Sequence, residues 1–228
     1  MTRANEWGQP VGDDLAGWEP PPEPPHKILL GGGVKLRPID VDAHARELFP
    51  AYADAPASLF TYLPWGPYAD AGELAANLHQ LDDLPDWQVY AIEVGDRLRG
   101  FICYLRIQPG QGSIEIGGIT FSPALQRTRA ATESMYLLVR HAFDLGYRRV
   151  EWKCDALNAP SVRAAERLGF TYEGTFRQAT HYRGRSRDTA WFSILDHEWP
   201  NLDTGFQNWF DPSNFDALGQ QRSPLRVL

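Results

Sequence analysis

Apolar and polar residues alternate with a period of two in three segments of the central chain. These segments are Trp87–Val94, Arg99–Ile107 and Ser113–Phe121. Such alternation predicts strands with one buried face. Gly95-Asp96 and the stretch from Pro109 to Gly112 separate the segments with residues typical of turns. We therefore expect three consecutive strands that pair as an antiparallel meander.

The chain before this meander predicts one strand and two helices. Val34–Pro38 has the pattern of a strand. A helix is expected over about Ala43–Tyr52, with Asp40 or Asp42 as its cap, because Asp accepts hydrogen bonds from the first free N–H groups of a helix. A second helix is expected over about Ala71–Leu81.

Beyond the meander the apolar period changes to that of a helix, which is expected to begin near Thr128 and to stop at Gly146. The remaining predicted elements are a strand over Arg149–Asp155, a helix over Ser161–Leu168, and strands over Phe170–Tyr182 and Asp188–Asp196. The order β-α-α-β-β-β-α-β-α-β-β predicts an α/β (α+β) fold with a mixed, mainly antiparallel twisted sheet and helices on both faces.

The two ends of the chain differ from this central part. Residues 1–33 are rich in Pro and Gly and predict an extended arm that lies on the surface or on a partner subunit, so a homodimer is one expectation. Gly31–Gly33 has the composition of a turn, and no Lys-Ser/Thr follows as a phosphate loop requires. We expect one domain over residues 34–199 and a C-terminal tail over 200–228.

Composition and charge exclude several classes of function. Of 228 residues, 43% are hydrophobic, which is enough for one globular core. The net charge of −7 and the absence of a long basic block disfavour nucleic acid as a partner. No apolar run is long enough for a membrane helix, and no signal pattern is present, so we expect a cytoplasmic protein. No Cys/His spacing predicts a metal site.

The start of the long helix is a candidate anion site. A strand ending at Phe121 is followed by a turn and by the helix that begins near Thr128. The first N–H groups of a helix have no internal acceptor and carry partial positive charge. Arg127 and Arg129 add formal charge at the same place. The alternative is an ordinary surface helix start with two solvated arginines.

A second segment resembles a known family. Asn158, Ser161 and the helix that ends in Leu168-Gly169-Phe170 resemble the signature of the GNAT acetyltransferases, and Ala131-Thr132-Glu133 matches residues frequent in that family's pyrophosphate turn. The match is closest to the ribosomal-protein N-acetyltransferase branch, whose better known members acetylate protein N-termini. The resemblance implies transfer of an acetyl group from acetyl-CoA to a primary amine, either a protein N-terminus or a small-molecule amine.

The resemblance also implies a set of coenzyme-binding residues. Backbone N–H groups would hold the pyrophosphate, the strand ending at Phe121 would pair with the pantetheine arm, and Asn158 and Ser161 would contact that arm or its sulfur. Asn158 and Ser161 have an alternative role as helix caps. The pyrophosphate residues are Gln126, Arg127, Thr128, Arg129, Ala130 and Ala131. The family's turn usually carries two glycines, whereas arginines or their neighbours occupy those places here.

Acyl transfer to an amine needs a neutral amine, a polarised thioester and a protonated leaving thiol. Glu115 is the first candidate base, because a carboxylate between two isoleucines is expected to be partly desolvated. It has two alternative roles, as a solvent-facing strand residue or as a salt-bridge partner, and a water relay can replace it as base. Ser161 is the candidate proton donor to the coenzyme sulfur.

Other chemistry-bearing residues are expected to be structural. Cys154 has no adjacent base and is expected to pack within its strand. Glu133 is expected to pair with an arginine. The last hairpin contains a cluster that is expected to line the acceptor side or to contact a second subunit, with a solvated basic turn as the preferred interpretation for Arg183 and Arg185. The members of the cluster are Arg177, His181, Tyr182, Arg183, Arg185, Arg187 and Asp188. The aromatic loop over Phe60–Tyr68 is a candidate wall for the acceptor, with plain core packing as the alternative.

Three hypotheses follow. The first is direct acetyl transfer in a ternary complex. The second is a non-catalytic module with a GNAT fold that binds acyl-CoA or another ligand, which the altered glycine turn favours. The third is an interaction protein that recruits partners through its Pro-rich arm and aromatic tail.

Overall fold

The computed structural model describes residues 3–217 and 219–225. The strands are β1 (Arg3–Ala4), β2 (Pro10–Val11), β3 (Leu29–Leu30), β4 (Val34–Pro38), β5 (Gln88–Val94), β6 (Arg97–Gln108), β7 (Ser113–Phe121), β8 (Arg149–Asp155), β9 (Thr171–Tyr182) and β10 (Arg185–Leu195). The helices are α1 (Val41–Leu48), α2 (Ala71–Asp82), α3 (Arg129–Asp144), α4 (Ala159–Arg167) and α5 (Trp199–Phe210). Strands β1 and β2 form a small exposed hairpin.

The other strands form one eight-stranded sheet in the order β3-β4-β5-β6-β7-β8-β10-β9. Neighbouring strands are antiparallel except for β7 and β8. These two run parallel and pair at only three positions, the last of which joins Glu115 to Glu151. Both strands continue beyond that pair, so the sheet opens between them.

Each face of the sheet is covered by helices over its own hydrophobic core. Side chains of α3 and α5, among them Leu138 and Phe206, pack against one face. Side chains of α1 and α2, among them Leu48 and Leu74, pack against the other face. Burial of this apolar area from water stabilises both layers and fixes the positions of the helix ends.

The predicted fold class is confirmed, and the predicted elements occur in the predicted order, from β4 to β10, with β1, β2, β3 and α5 in addition. The bounds agree exactly for β4, β7 and β8. The first helix is shorter than predicted and ends at Leu48. The chain continues as a short 3-10 turn over Phe49–Ala51, because Pro50 has no N–H group to extend the helix. Its cap is Asp40, whose side chain accepts a hydrogen bond from the N–H of Ala43.

The segment after Trp199 was expected to be a tail, and this is wrong for its first part, which is helix α5. Trp199, Leu202, Phe206 and Trp209 recur at helical spacing and are buried. The rings of Trp199 and Phe206 pack against Tyr136 of α3, and the ring centroids of Tyr136 and Phe206 lie 5.2 Å apart. The apolar face of α5 is therefore part of the core.

The Pro-rich arm lies on the surface of its own chain. Pro21 and Pro24 are buried. The side chain of Gln88 donates a hydrogen bond of 2.6 Å to the carbonyl of Pro24. These contacts correspond to the first of the two expected positions for the arm, and a role in a homodimer stays a prediction.

Glu133 on α3 is structural, but its partners differ from the predicted arginine. The side chain is buried, with 7% of its surface exposed. Its carboxylate accepts hydrogen bonds from the N–H groups of Gly32 and Gly33. The glycine turn is thereby fixed to α3, and a side chain on Gly31 would collide with the same carboxylate.

Candidate active site

The opening between β7 and β8 forms a cleft in the middle of the sheet. Pairing ends at Glu115 and Glu151, whereas β7 continues to Phe121 and β8 to Asp155. Within the described ranges, no strand lies between the two diverging edges. Backbone groups on the free edge of β7 are therefore available to an extended ligand, in the way that a sheet edge accepts a peptide.

Helix α3 begins beside the outer end of β7, and its cap is Thr128. The hydroxyl of Thr128 accepts a hydrogen bond of 3.1 Å from the N–H of Ala131 and donates one of 2.7 Å to the carbonyl of Leu125. The N–H groups of Gln126 and Thr128 are bonded within the preceding turn. These predicted residues thus shape the turn with hydrogen bonds of their own.

Three N–H groups at this place remain without an acceptor in the part of the chain that the structure describes. They belong to Arg127, Arg129 and Ala130. Arg127 has a φ of 59°, in the left-handed region that glycine adopts more readily. The arginine thus keeps the conformation that the family's glycine provides. Three free donors at a helix N-terminus form a cradle for an anion.

The two arginines of this turn point to different partners. The guanidinium of Arg129 donates a hydrogen bond of 2.7 Å to the carbonyl of Phe210 and lies 4.6 Å from the ring centroid of Phe215. The side chain of Arg127 is exposed and forms no hydrogen bond or ion pair with any described residue. Of the two predicted cations, Arg127 is therefore the one free to meet a ligand.

The predicted Asn158–Ser161 motif lies across the cleft, at the start of α4. The side chain of Asn158 caps the helix by accepting a hydrogen bond of 3.3 Å from the N–H of Ser161. The hydroxyl of Ser161 accepts one of 3.1 Å from the indole N–H of Trp152. Because an indole only donates, this hydrogen bond does not use the proton of Ser161. Trp152 was not singled out by the sequence analysis.

Cys154 packs beside Ser161 and is buried, as predicted. Burial raises the pKa of its thiol, while a hydrogen bond from Ser161 and the charge of Arg187 oppose that shift. Because the shift is upward, the thiol is protonated near neutral pH and is a poor nucleophile.

Glu115 lies at the closed end of the cleft, with only 4% of its surface exposed. Its Oε2 atom is 2.6 Å from Arg106 Nη2 and 3.0 Å from Lys153 Nζ. Burial raises the pKa of Glu115, and the two cations oppose the shift. Glu115 is thus desolvated, as expected of a base, and it also forms the salt bridges that were the alternative role. Arg106 and Lys153 come from separate strands, which the local sequence pattern does not connect.

The aromatic loop lies across the open end of the cleft. The hydroxyl of Tyr62 donates a hydrogen bond of 3.0 Å to the carbonyl of Leu157, just beyond β8. The indole of Trp65 donates one of 3.1 Å to the hydroxyl of Thr120, near the end of β7. Residues 61–66, which we name the cleft roof, therefore connect both sides of the cleft.

Arg183 and Arg185 are exposed, as a solvated turn requires, but they also bind the cleft roof. Arg185 donates a hydrogen bond of 2.9 Å to the carbonyl of Thr61, and Arg183 donates to the carbonyls of Trp65 and Gly66. The roof carbonyls need donors, and the hairpin between β9 and β10 supplies them. The hairpin is thereby fixed to the cleft roof.

The family model of the acetyltransferase (GNAT) domain matches residues 34–171, which include the cleft, the start of α3 and the motif of α4. This chain belongs to the GNAT acetyltransferase family. Its members are acyltransferases, and the resemblance seen in the sequence is confirmed.

Solved structures of GNAT proteins agree with this assignment. A GCN5-related N-acetyltransferase from Brucella melitensis is 43% identical, covers 92% of this chain and 97% of its own, and has a TM-score of 0.89. A probable GNAT acetyltransferase from Chromobacterium violaceum is 42% identical, with coverages of 84% and 98% and a TM-score of 0.80. A comparison with curated proteins finds no match.

The ribosomal-protein branch appears among the structures at lower identity. A ribosomal L7/L12 alpha-N-protein acetyltransferase in complex with coenzyme A is 24% identical, with coverages of 75% and 99% and a TM-score of 0.64. This likeness concerns the fold alone.

Two further features are absent from the described residues, a metal cluster and a membrane-spanning helix. Residues 3–217 and 219–225 contain no cluster of three or more His, Cys, Asp or Glu that could hold a metal ion. Over the same residues, every helix is too short or too polar to cross a membrane.

The arginine contacts predict how the cleft roof moves. Replacing both Arg183 and Arg185 by Ala removes the donors to the roof carbonyls, so we expect amide hydrogen exchange over residues 61–66 to become about tenfold faster. Hydrogen exchange with mass spectrometry measures this rate. The matched control is R177A, which removes an exposed arginine of β9. Equal exchange in the double variant and the wild type would contradict the proposed attachment.

Proposed function

We propose that this GNAT protein is an N-acetyltransferase that moves an acetyl group from acetyl-CoA to a primary amine, by direct transfer in a ternary complex. The observation that carries the proposal is the cradle of three free N–H groups at the start of α3, directly after a strand whose edge is open. A diphosphate fits the cradle, and an extended arm fits the edge.

Different residues around the cleft fit the diphosphate and the pantetheine arm of coenzyme A. The N–H groups of Arg127, Arg129 and Ala130 would hold the diphosphate, with the side chain of Arg127 adding charge. The edge of β7 up to Phe121 would pair with the pantetheine arm. Asn158 uses its oxygen as a cap, while its Nδ2 group donates to no described residue and can bind the arm. Further contacts are expected from Gln126, Thr128, Ala131 and Ser161.

Direct transfer agrees with the state of the thiol nearest to the motif. An acyl-enzyme route requires an activated nucleophile, and burial raises the pKa of Cys154 instead. In direct transfer the amine nitrogen attacks the thioester carbonyl, the carbon–sulfur bond breaks, and the sulfur keeps the electron pair. The hydroxyl proton of Ser161 would then pass to the sulfur and be replaced by a proton from water, and the amine proton would pass to Glu115 or to a water relay.

The acceptor is proposed to be a protein N-terminus or a small-molecule amine. An N-terminal amine has a reference pKa near 8 and is therefore partly neutral at physiological pH. The net charge of −7 favours the approach of a cationic amine. The cleft roof limits the acceptor to an end group that can reach beneath residues 61–66.

A screen for thiol release tests this function directly. We expect free coenzyme A thiol to appear when the protein, acetyl-CoA and a panel of peptides and small amines are mixed, and an acetylated amine to be found by mass spectrometry. Binding of acetyl-CoA by calorimetry without thiol release over the whole panel would favour the non-catalytic module. Absence of binding would contradict both functions.

The proton-donor role of Ser161 predicts a specific kinetic effect. S161A removes the hydroxyl, and we expect kcat to fall by roughly 10²-fold or more, while the dissociation constant of coenzyme A changes less than threefold. Stopped-flow kinetics and calorimetry measure the two quantities. S193A, which removes a buried hydroxyl from β10, is the control. An unchanged kcat in S161A would remove Ser161 from the mechanism.

The ion pairs of Glu115 predict the outcome of E115Q. The buried contact with Lys153 and the half-exposed contact with Arg106 would lose their charged acceptor, so we expect the free energy of unfolding to fall by about 3 kcal/mol, mainly through Lys153. Because the carboxylate is buried and both cations hold its Oε2 atom, we expect a water relay to serve as the base and kcat to fall less than tenfold. The control is E93Q, whose carboxylate pairs with Lys35 and Arg37 away from the cleft. If kcat of E115Q instead falls 100-fold or more, and the acidic limb of its pH–rate profile disappears, Glu115 is the base.

A further inference from the structure

We propose that Arg187 is an additional active-site residue, which stabilises the negative charge on the coenzyme A sulfur while the thioester bond breaks. This inference rests on the proposed function and deepens it. It concerns a cation outside the family signature, for which the sequence offered the acceptor side or a second subunit as alternatives.

Strand pairing places Arg187 beside the turn that connects β8 to α4. Thr189 on β10 pairs with Asp155 at the end of β8. One residue earlier, the carbonyl of Asp188 accepts a hydrogen bond of 2.9 Å from the N–H of Ala156. Arg187 therefore stands next to the turn whose following residues include Asn158 and Ser161.

The guanidinium of Arg187 lacks a partner among residues 3–217 and 219–225. Its Nε atom is buried and has no hydrogen-bond acceptor, and no carboxylate lies within ion-pair distance. A buried cationic donor without an acceptor is costly. An anion that arrives with the substrates would remove that cost.

The carboxylates nearest to Arg187 in the sequence and across the β8–β10 pairing form hydrogen bonds with other residues. Asp155 accepts hydrogen bonds of 2.9 Å from the N–H of Leu157 and 2.8 Å from the hydroxyl of Tyr182. Asp188 accepts one of 2.7 Å from the N–H of Gln178. Neither side chain neutralises Arg187, so the cation remains available to a ligand.

The positive charge of Arg187 acts where the coenzyme sulfur is expected. Burial raises the pKa of the Cys154 thiol, and Ser161 and the charge of Arg187 both oppose that rise. The charge of Arg187 also opposes the rise in the pKa of Tyr182, which burial and the neighbouring Asp155 bring to about 12. The sulfur of coenzyme A, if bound beside Ser161, would lie in the same positive potential as the Cys154 thiol.

The transfer step places negative charge on the sulfur, which a positive potential stabilises. The amine forms its bond to the carbonyl carbon, and the carbon–sulfur bond breaks with its electron pair on the sulfur. The sulfur is then a thiolate until a proton arrives from Ser161 or water. A guanidinium nearby stabilises this thiolate and lowers the barrier to bond cleavage.

The test measures the ionisation of bound coenzyme A rather than turnover. Coenzyme A labelled with ¹³C at the carbon next to sulfur is bound to the full-length protein, and its chemical shift is followed against pH by NMR. We expect the thiol pKa of the bound coenzyme to lie below that of free coenzyme A in the wild type. R187Q should raise it by about one pH unit and lower kcat by roughly tenfold, because one unit is a tenfold change in ionisation. R187K, which keeps the charge, should restore most of both.

Controls separate this inference from the proposed function. R97Q, which removes an exposed arginine at the start of β6, should leave the bound thiol unchanged. Calorimetry of R187Q with coenzyme A verifies that the coenzyme still binds. An unchanged thiol pKa in R187Q with bound coenzyme would overturn the role of Arg187 alone, as would an effect confined to the KM of the acceptor. Failure of the wild type to bind coenzyme A would overturn the proposed function as well.

Discussion

The short parallel pairing of β7 and β8 is the constraint on which the rest of this structure depends. Three residue pairs hold the strands together, and the sheet then opens. At the closed end, Lys153 connects Glu115 and Glu151 through its ammonium group. An ordinary sheet would have satisfied the facing backbone groups with a strand, whereas here they remain for a ligand. The cleft is thus a consequence of strand divergence.

The same divergence places two helix starts on opposite sides of one ligand site. The turn after β7 ends in the cradle of α3, where Arg127 adopts the left-handed conformation that glycine usually supplies. The turn after β8 ends in the cap of α4, where Trp152 orients Ser161. The C-terminal segment adds a further restraint, because Phe210 and Phe215 hold the side chain of Arg129. Anion binding and proton donation are therefore arranged by elements that meet only in the folded chain.

Local periodicity was sufficient to predict most of the elements, and contacts distant in sequence explain what was missed. Strands β4, β7 and β8 have simple alternation and were predicted with their exact bounds. Helix α5 was missed because Pro200 and Gly205 break up a pattern whose apolar spacing is helical only over several turns. The bond of Arg185 to Thr61 joins residues 124 positions apart, which no local pattern predicts. The motif at Asn158 was visible, but the charged partners of Glu115 on β6 and β8 were not.

Binding of the diphosphate at the start of α3 is the central claim, and amide NMR tests it most directly. The ¹⁵N-labelled protein would be titrated in parallel with coenzyme A and with pantetheine, which lacks the diphosphate. The structure predicts that coenzyme A gives its largest amide shifts at Arg127, Arg129 and Ala130, and that pantetheine leaves these three nearly unchanged. Large shifts elsewhere with none at this turn, or equal shifts from both ligands, would contradict the account.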